Sequence, residues 1–129
     1  MSDHTILLAD DSSTVRTMLS RILKDAGYHV IAARDGREAL ELAQTCNPSL
    51  AILDIVMPEL DGYGVVERLK EMGSPFDQLP ILFLTCVDSK ALELLGDEYG
   101  AYLRKPVKPE VLLDAIQSNL TASLNSPAT

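Results

Sequence analysis

The polar residues that could do chemistry in this chain stand at the ends of its apolar runs. Asp10 and Asp11 directly follow the first run (6–9), and Asp54 follows the third (50–53), the second being 28–33. The fourth run (80–84) stops at Thr85, and Lys105 lies just past the fifth (101–103). In an open α/β sheet, ligands bind beyond the carboxyl ends of the strands. If these runs are neighbouring strands, three carboxylates, a hydroxyl and an ammonium group meet in one crevice.

Carboxylates clustered in this way favour a bound cation. They repel one another and raise their own pKa values unless a cation lies among them. Oxygen ligands suit Mg²⁺, which proteins commonly bind through one or two carboxylates together with phosphate oxygens. Asp54 beside that ion could attack a phosphoryl group and form an aspartyl-phosphate. Lys105 and the hydroxyl of Thr85 would then stabilise the negative charge on the phosphoryl oxygens.

Each of these residues also has an ordinary explanation when it is taken alone. Asp10 and Asp11 could cap the helix that follows them and interact with its dipole. Asp54 could bond to its own turn. Thr85 could be an ordinary strand-end hydroxyl, and Lys105 a solvated charge. Because all of them stand at the ends of separate strands, the pattern favours one shared site.

Amphipathic segments alternate with the apolar runs and predict the secondary structure. Ser12 or Ser13 can cap the start of the first helix, and Gly27 suits its end. Five strands alternating with five helices predict a parallel sheet that is covered on both faces. The uninterrupted apolar character of runs one, three and four suits strands buried on both sides. The apolar residues of the first helix recur with the spacing of one face, at Val15, Met18, Leu19, Ile22, Leu23 and Ala26.

The later part of the chain continues this alternation. The third run leads into the turn-rich loop 57–62, and a helix is predicted over roughly 63–72. A short fourth helix is predicted at about 89–95, and Pro109 lies in the first turn of the last helix. Residues 1–122 are expected to form one domain, and 123–129 a short polar tail or the start of a linker.

Composition and charge disfavour several classes of function. The 129 residues fit one compact domain. A formal net charge of −8 argues against direct binding of nucleic acid, because a phosphate backbone requires a clustered basic face. No apolar run approaches the roughly 20 residues that membrane insertion needs, and the first residues lack a secretion signal. Cys46 and Cys86 have no metal-site spacing, so free thiols in a cytoplasmic protein are expected.

The ordered set of motifs resembles the response-regulator receiver domain of two-component signalling, the fold of the chemotaxis regulator. This resemblance covers residues 4–120 and implies an α/β, flavodoxin-like (βα)5 doubly wound parallel sheet with strand order 2-1-3-4-5. The matching pieces are Leu8-Ala9-Asp10-Asp11, Asp54 within Leu53-Asp54-Ile55-Val56-Met57-Pro58, Asp61-Gly62, Thr85, and Tyr102-Leu103-Arg104-Lys105-Pro106.

The resemblance implies a role for each matching residue around the metal. Asp54 would be the phosphoacceptor. Asp11 would bind Mg²⁺ directly, and Asp10 would bind it mainly through water. The backbone carbonyl of Val56 would be a further ligand, and Lys105 would pair with the phosphoryl group.

The resemblance also implies a switch and a set of partners. Thr85 would follow the phosphoryl group, and Tyr102 would turn inward as Thr85 moves; an ordinary strand residue is the alternative for Tyr102. The donor would be a sensor histidine kinase, a phosphotransfer protein or a small acyl phosphate. The output would be altered binding of a downstream effector protein or domain, or of a second copy in a phosphorylation-dependent homodimer. The domain would catalyse its own modification and would not turn over an external substrate as an enzyme does.

Three departures from the family pattern affect the lifetime of the phosphorylated form and the signalling output. Cys86 stands where the family usually has a small residue, and its side chain could narrow access to the acceptor. Val56 and Val87 are apolar at positions that flank the path of the hydrolytic water, which predicts slow self-dephosphorylation. The stretch between Thr85 and Lys105 is slightly compressed, so the fourth helix and the signalling surface beside it are expected to differ from the usual form.

Three other functions fit parts of the pattern. An aspartyl-phosphate hydrolase would need a D-x-D pair after the first strand, whereas Asp10 and Asp11 are adjacent and the better nucleophile follows the third strand. A flavin-binding electron carrier would need a hydroxyl- and glycine-rich loop, and Asp10 and Asp11 would repel its phosphate. An interaction module without phosphorylation would not need the intact acceptor, metal pair, hydroxyl and lysine.

Overall fold

A single parallel sheet of five strands organises the chain. The computed structural model describes residues 4–86 and 101–125, with the backbone alone for 121–125. The strands are β1 (Thr5–Ala9), β2 (His29–Ala33), β3 (Leu50–Asp54), β4 (Ile81–Thr85) and β5 (Ala101–Arg104). They pair in the order β2-β1-β3-β4-β5, which confirms the predicted flavodoxin-like arrangement. All four pairings are parallel.

Four α-helices connect or follow these strands within the described residues: α1 (Ser13–Asp25), α2 (Gly36–Cys46), α3 (Gly62–Met72) and a C-terminal helix (Pro109–Asn125). The sequence did not indicate the short 3₁₀ helix Phe76–Gln78 before β4. The fourth helix predicted at 89–95 lies outside the described residues. The C-terminal helix continues to Asn125, so its backbone extends beyond the domain boundary expected at residue 122.

Two separate hydrophobic layers cover the two faces of the sheet. Side chains alternate along each strand, so Ile6 and Leu8 of β1 face α1 and the C-terminal helix, while Leu7 and Ala9 face α2 and α3. All of β3 and β4 is buried, as is β1 from Ile6 onward, which confirms the predicted burial on both sides. The edge strand β2 is only partly buried. This sandwich holds the carboxyl ends of the strands in a fixed array.

Side-chain caps begin three helices directly after the loops that leave the sheet. Ser12, Asp35 and Asp61 each accept a hydrogen bond from the backbone N–H three residues later, at 3.3, 2.8 and 2.7 Å. These bonds satisfy amide groups that would otherwise lack a partner at the helix start. At the other end of α1, Gly27 takes a φ of +95°, which favours glycine. The caps therefore fix the starts of these helices beyond the carboxyl ends of β1, β2 and β3.

Two residues on the predicted apolar face of α1, Met18 and Ala26, are exposed instead. Met18 is 45% exposed, and Val111 on the C-terminal helix is 47% exposed. Helical spacing alone does not specify which part of an apolar face contacts the sheet. Among the helices in the described ranges, none is long and apolar enough to cross a membrane.

Two glycines bring the loop after β3 into backbone contact with its neighbours. A Cβ atom on Gly36, at the start of α2, would lie 1.7 Å from the carbonyl oxygen of Leu60. A Cβ atom on Gly62, at the start of α3, would lie 2.7 Å from the carbonyl oxygen of Asp54. No larger residue fits either position without a shift of the backbone. The loop 55–61 is thus held between α2 and the end of β3.

We expect Gly36→Ala to lower the free energy of unfolding by about 2 kcal/mol or more, because overpacking a backbone contact forces the loop to move. The better helix propensity of alanine, worth at most about 1 kcal/mol, does not offset this. Urea denaturation measures the difference. The neighbouring Arg37→Ala is the control, since that side chain is 76% exposed and its change should stay within about 0.5 kcal/mol. Equal stability of Gly36→Ala and wild type would show that the loop is not fixed by this contact.

Candidate functional site

The first carboxylate of the site, Asp10, is held by bonds on both its backbone and its side chain. Its backbone N–H donates to the carbonyl of Ala33 at 3.2 Å, and its carbonyl accepts from the guanidinium of Arg16 at 2.6 Å. Its Oδ1 accepts from the N–H of Ser12 at 2.9 Å. The residue is fully buried. These contacts leave Oδ2 directed into the crevice above β1 and β3.

Asp54 is the last residue of β3 and is almost completely buried, with 7% of its surface exposed. The next residue, Ile55, continues the sheet by donating its N–H to the carbonyl of Leu84 at 3.1 Å. Beyond it, the N–H of Val56 turns back and donates to Asp54 Oδ1 at 3.3 Å. The Asp54 carboxylate therefore lies at the carboxyl end of β3, where pairing with β4 fixes the backbone.

Lys105 joins the two buried carboxylates. Its Nζ lies 2.8 Å from Asp10 Oδ2 and 3.1 Å from Asp54 Oδ2. Its backbone N–H donates to the carbonyl of Thr85 at 2.8 Å, directly after the last strand pair. The Thr85 side chain is itself buried at that strand end. One ammonium group thus links residues from β1 and β3, and its own backbone is tied to β4.

Asp11 completes a group of three carboxylates at the mouth of the crevice. One oxygen from each of Asp10, Asp11 and Asp54 lies within 4.8 Å of the other two, and Asp11 is the exposed member. With Lys105 as the nearby ammonium, the ionised group carries a formal surplus of two negative charges. Asp10 Oδ2 is buried and accepts no well-directed hydrogen bond, despite the adjacent ammonium. The oxygen ligands, the surplus charge and this incompletely satisfied atom fit a divalent cation such as Mg²⁺.

Burial and neighbouring charge shift two pKa values in the site. Burial raises the pKa of Asp54; the hydrogen bond from Lys105 lowers it, and the nearby Asp10 carboxylate raises it, so the net direction is upward. Burial lowers the pKa of Lys105, but the carboxylates of Asp10 and Asp54 outweigh this and raise it overall. Lys105 therefore stays a cation, while Asp54 is less ready to carry its charge than an exposed aspartate.

The structure brings four of the residues predicted for the site into direct proximity. Asp10, Asp11 and Asp54 form the carboxylate group and Lys105 contacts two of them. Thr85 lies at the same sheet edge and is joined to Lys105 through its backbone carbonyl. The roles predicted for these residues remain predictions.

The remaining predicted residues surround this group. Val56 contacts Asp54 through its N–H, whereas the predicted metal ligand is its carbonyl, and its side chain is 77% exposed. Cys86 is exposed immediately after Thr85, and Val87 lies outside the described residues. Tyr102 is partly buried against the face that carries α2 and α3.

Two residues near the site were not indicated by the sequence. Arg16 anchors the carbonyl of Asp10, and Tyr63 shares a hydrogen bond with Tyr102. Arg16 lies on the polar side of an amphipathic helix, where an arginine is usually solvated. Its position six residues after Asp10, within the first turns of α1, places it near that strand end but does not predict the bond. No comparable signal in the sequence pairs Tyr63 with a residue of β5.

We expect Lys105→Met to raise the pKa of Asp54 further in the metal-free protein. The substitution removes the contact that lowers this pKa and leaves burial and Asp10, which both raise it. Asp54 would then lose its proton only at a higher pH than in wild type. An NMR pH titration of the Asp54 carboxyl carbon measures the shift. Lys108→Met is the matched control, because Lys108 is exposed and should leave the titration unchanged; a pKa that falls in Lys105→Met would contradict the described contact.

Curated relatives resemble this chain over about half of their own length. The response regulator MprA of Mycolicibacterium vanbaalenii is 44% identical over 117 residues, which cover 89% of this chain and 49% of the relative. The alkaline phosphatase synthesis transcriptional regulatory protein PhoP of Bacillus subtilis is 39% identical over 120 residues, which cover 92% of this chain and 49% of the relative. The similarity thus concerns one portion of these longer proteins.

Solved structures match the fold across nearly their whole length. The chemotaxis protein CheY4 of Vibrio cholerae is 39% identical with a TM-score of 0.80, and the match covers 92% of this chain and 99% of that one. A putative response regulator from Chloroflexus aurantiacus is 36% identical with a TM-score of 0.84, over 93% and 99% of the two chains. The family model of the response regulator receiver domain matches residues 6–117. Sequence motifs, sheet order and these likenesses agree, and the chain belongs to the response regulator receiver domain family of two-component signalling.

Proposed function

We propose that this receiver domain accepts a phosphoryl group on Asp54 from a sensor histidine kinase or a phosphotransfer protein, with Mg²⁺ bound beside the acceptor. The observation that carries the proposal is the position of Lys105 between Asp54 and Asp10. A structural ion pair would need one carboxylate, whereas this ammonium serves two and a third lies nearby. Such a surplus of negative charge suits a site that binds a cation and then a phosphoryl group.

The transfer step needs no proton from the acceptor. Asp54 reacts as a carboxylate, one of its oxygens forms a bond to phosphorus, and the bond from phosphorus to the donor nitrogen breaks. The electron pair of that bond returns to the donor histidine, which takes up a proton from solvent. With a small acyl phosphate, the bond that breaks joins phosphorus to oxygen and a carboxylate leaves. Lys105 Nζ, already 3.1 Å from Asp54 Oδ2, would pair with one phosphoryl oxygen after the transfer. The Thr85 hydroxyl would donate a hydrogen bond to a second phosphoryl oxygen.

The proposed Mg²⁺ site uses the residues that the crevice brings together. Asp11 and Asp54 would bind the ion directly, Asp10 would act mainly through water, and the carbonyl of Val56 would add a ligand. When bound, Mg²⁺ would neutralise charge on the phosphoryl oxygens and orient them for in-line transfer. The bonds from Arg16 and Ser12 to Asp10 would hold its carboxylate ready for this task.

The proposed output is a change in partner binding. Phosphorylation would bias an equilibrium between two arrangements, with Thr85 and Tyr102 as the moving residues. The altered surface would bind a downstream effector protein or domain, or a second copy of the chain in a phosphorylation-dependent homodimer. The domain would modify itself in the cytoplasm without turning over an external substrate. Because the curated relatives are about twice as long, the effector could be a further domain of the same polypeptide.

We expect wild type incubated with Mg²⁺ and acetyl phosphate to gain one phosphoryl group by intact mass, and Asp54→Asn to gain none. Asp61→Asn is the matched control, because Asp61 is an exposed carboxylate in the same loop and asparagine caps a helix equally well. It should be labelled like wild type. Labelling of Asp54→Asn would overturn the site assignment, and labelling without Mg²⁺ in the presence of a chelator would overturn the metal requirement.

We expect Val56→Asn to shorten the half-life of the phosphorylated form by about tenfold. The side chain at residue 56 is exposed beside the acceptor, and a polar group there can orient the attacking water. Loss of a preorganised hydrogen-bond donor costs about 10²–10³ in rate, and we expect a smaller effect from a side chain that orients water less strictly. The decay is followed by mass after the acyl phosphate is removed, without a phosphatase. Val111→Asn repeats the change at an exposed valine on the C-terminal helix and should decay like wild type. Equal decay of Val56→Asn and wild type would refute the prediction that the apolar side chain of Val56 slows self-dephosphorylation.

A further inference from the structure

Three aromatic rings form a cluster on the face of the sheet that carries α2 and α3. The ring of Tyr63 is tilted by 49° against that of Phe83 at a centroid distance of 5.0 Å, and Phe83 stacks on Tyr102 at 5.3 Å. The Tyr63 and Tyr102 hydroxyl oxygens are 2.7 Å apart, so one hydroxyl donates to the other. This bond links residues 39 positions apart in the chain and joins the two tyrosines across Phe83.

Each ring belongs to a segment that carries one residue of the phosphoryl site. Phe83 precedes Thr85 by two residues on β4, so both side chains lie on the same face. Tyr102 is the second residue of β5, and Lys105 directly follows the end of that strand. On the third segment, Tyr63 directly follows Gly62, whose N–H donates to Ile55 next to the acceptor, at 2.9 Å.

We propose that Tyr63 is a positioning residue that holds Tyr102 in the arrangement belonging to the free Asp54 carboxylate. Breaking the hydrogen bond between the two hydroxyls would then add to the free energy that phosphorylation must supply to change this arrangement. The proposal rests on the proposed function. Its new element is the assignment of Tyr63 on α3 as the partner that restrains β5. The bond acts as a latch because it joins α3 to β5 across Phe83, which contacts both tyrosine rings.

The contacts of Lys105 explain how the acceptor and the latch are coupled. Lys105 Nζ now contacts Asp54 Oδ2 at 3.1 Å, and a phosphoryl group bonded to Asp54 would change that contact. Lys105 would have to adjust to the phosphoryl oxygens, and Thr85 would adjust with it, because the two residues share a backbone hydrogen bond of 2.8 Å. Any movement of β5 carries Tyr102 with it, against the bond to Tyr63. A contact made in only one of two arrangements shifts the equilibrium between them.

Beryllofluoride with Mg²⁺ tests this proposal without covalent chemistry. We expect Tyr63→Phe, which keeps the ring but removes the hydroxyl, to bind this phosphoryl mimic about two- to tenfold more tightly than wild type, the range expected for one hydrogen bond. Backbone-amide NMR titration gives the affinities. Tyr28→Phe is the matched control, because Tyr28 packs on the opposite face of the sheet and should leave the affinity unchanged.

A double-mutant cycle separates the latch from a merely structural contact. In the Tyr102→Phe background the latch is already absent, so Tyr63→Phe should no longer alter beryllofluoride affinity. A merely structural contact would lower the unfolding midpoint of Tyr63→Phe, but it would not make the change in beryllofluoride affinity depend on Tyr102. Unchanged or weaker binding by Tyr63→Phe, or an equal effect in both backgrounds, overturns the latch. Failure of wild type itself to bind beryllofluoride would instead overturn the proposed function and, with it, the latch.

Discussion

One ammonium group between two buried carboxylates is the interaction on which the rest of the site depends. Removing three charged groups from water is costly, and their mutual attraction repays this only if the geometry is well fixed. Lys105 meets Asp10 and Asp54 within 3.1 Å because parallel pairing places the ends of β1 and β3 side by side, with β5 one strand beyond β4. The two apolar layers beneath supply the rigidity that this contact requires.

That arrangement also makes an ionised Asp54 unfavourable unless further positive charge is nearby. Burial and Asp10 raise the pKa of Asp54, so the folded protein disfavours the ionised form that the proposed transfer would use as its nucleophile. A group whose folded-state pKa is raised contributes stability at low pH and loses that contribution as pH rises through the raised pKa. The ionised form of Asp54 is therefore a cost to the fold. A bound cation would offset this cost, and it would link binding, acceptor charge and stability.

The sequence predicted most of the fold because its signals were local. Uninterrupted apolar runs indicated buried strands, and Ser12, Gly27 and Pro109 marked helix ends that the structure confirms. The 3₁₀ helix before β4 escaped prediction because three residues contain no full period. Met18 is exposed although helical spacing placed it on the apolar face, because spacing gives a direction but not the width of the neighbouring contact.

The site could be predicted as a set of residues, but its contacts could not. Strand ends indicated which side chains converge, since parallel topology brings the carboxyl ends together. The bond from Arg16 to a backbone carbonyl and the bond between Tyr63 and Tyr102 depend on rotamers and on the distance between elements. Neither side-chain rotamers nor distances between elements leave a periodic pattern or a motif in the sequence. These contacts extend the site beyond the residues that would touch the phosphoryl group.

The close backbone approach at Gly36 and Gly62 has a consequence for how this domain can change over evolution. The two contacts clamp the loop 55–61 through the carbonyls of Leu60 and Asp54, atoms that every residue type possesses. Exchanging the side chain at an exposed loop position such as Val56 leaves both contacts intact, whereas Met57 in the same loop is buried in the core. Inserting or deleting a single residue would pull α2 or α3 away from β3. The exposed positions of the loop are therefore free to diverge in composition while its length is constrained, so substitutions there can alter access to Asp54 without rebuilding the sheet.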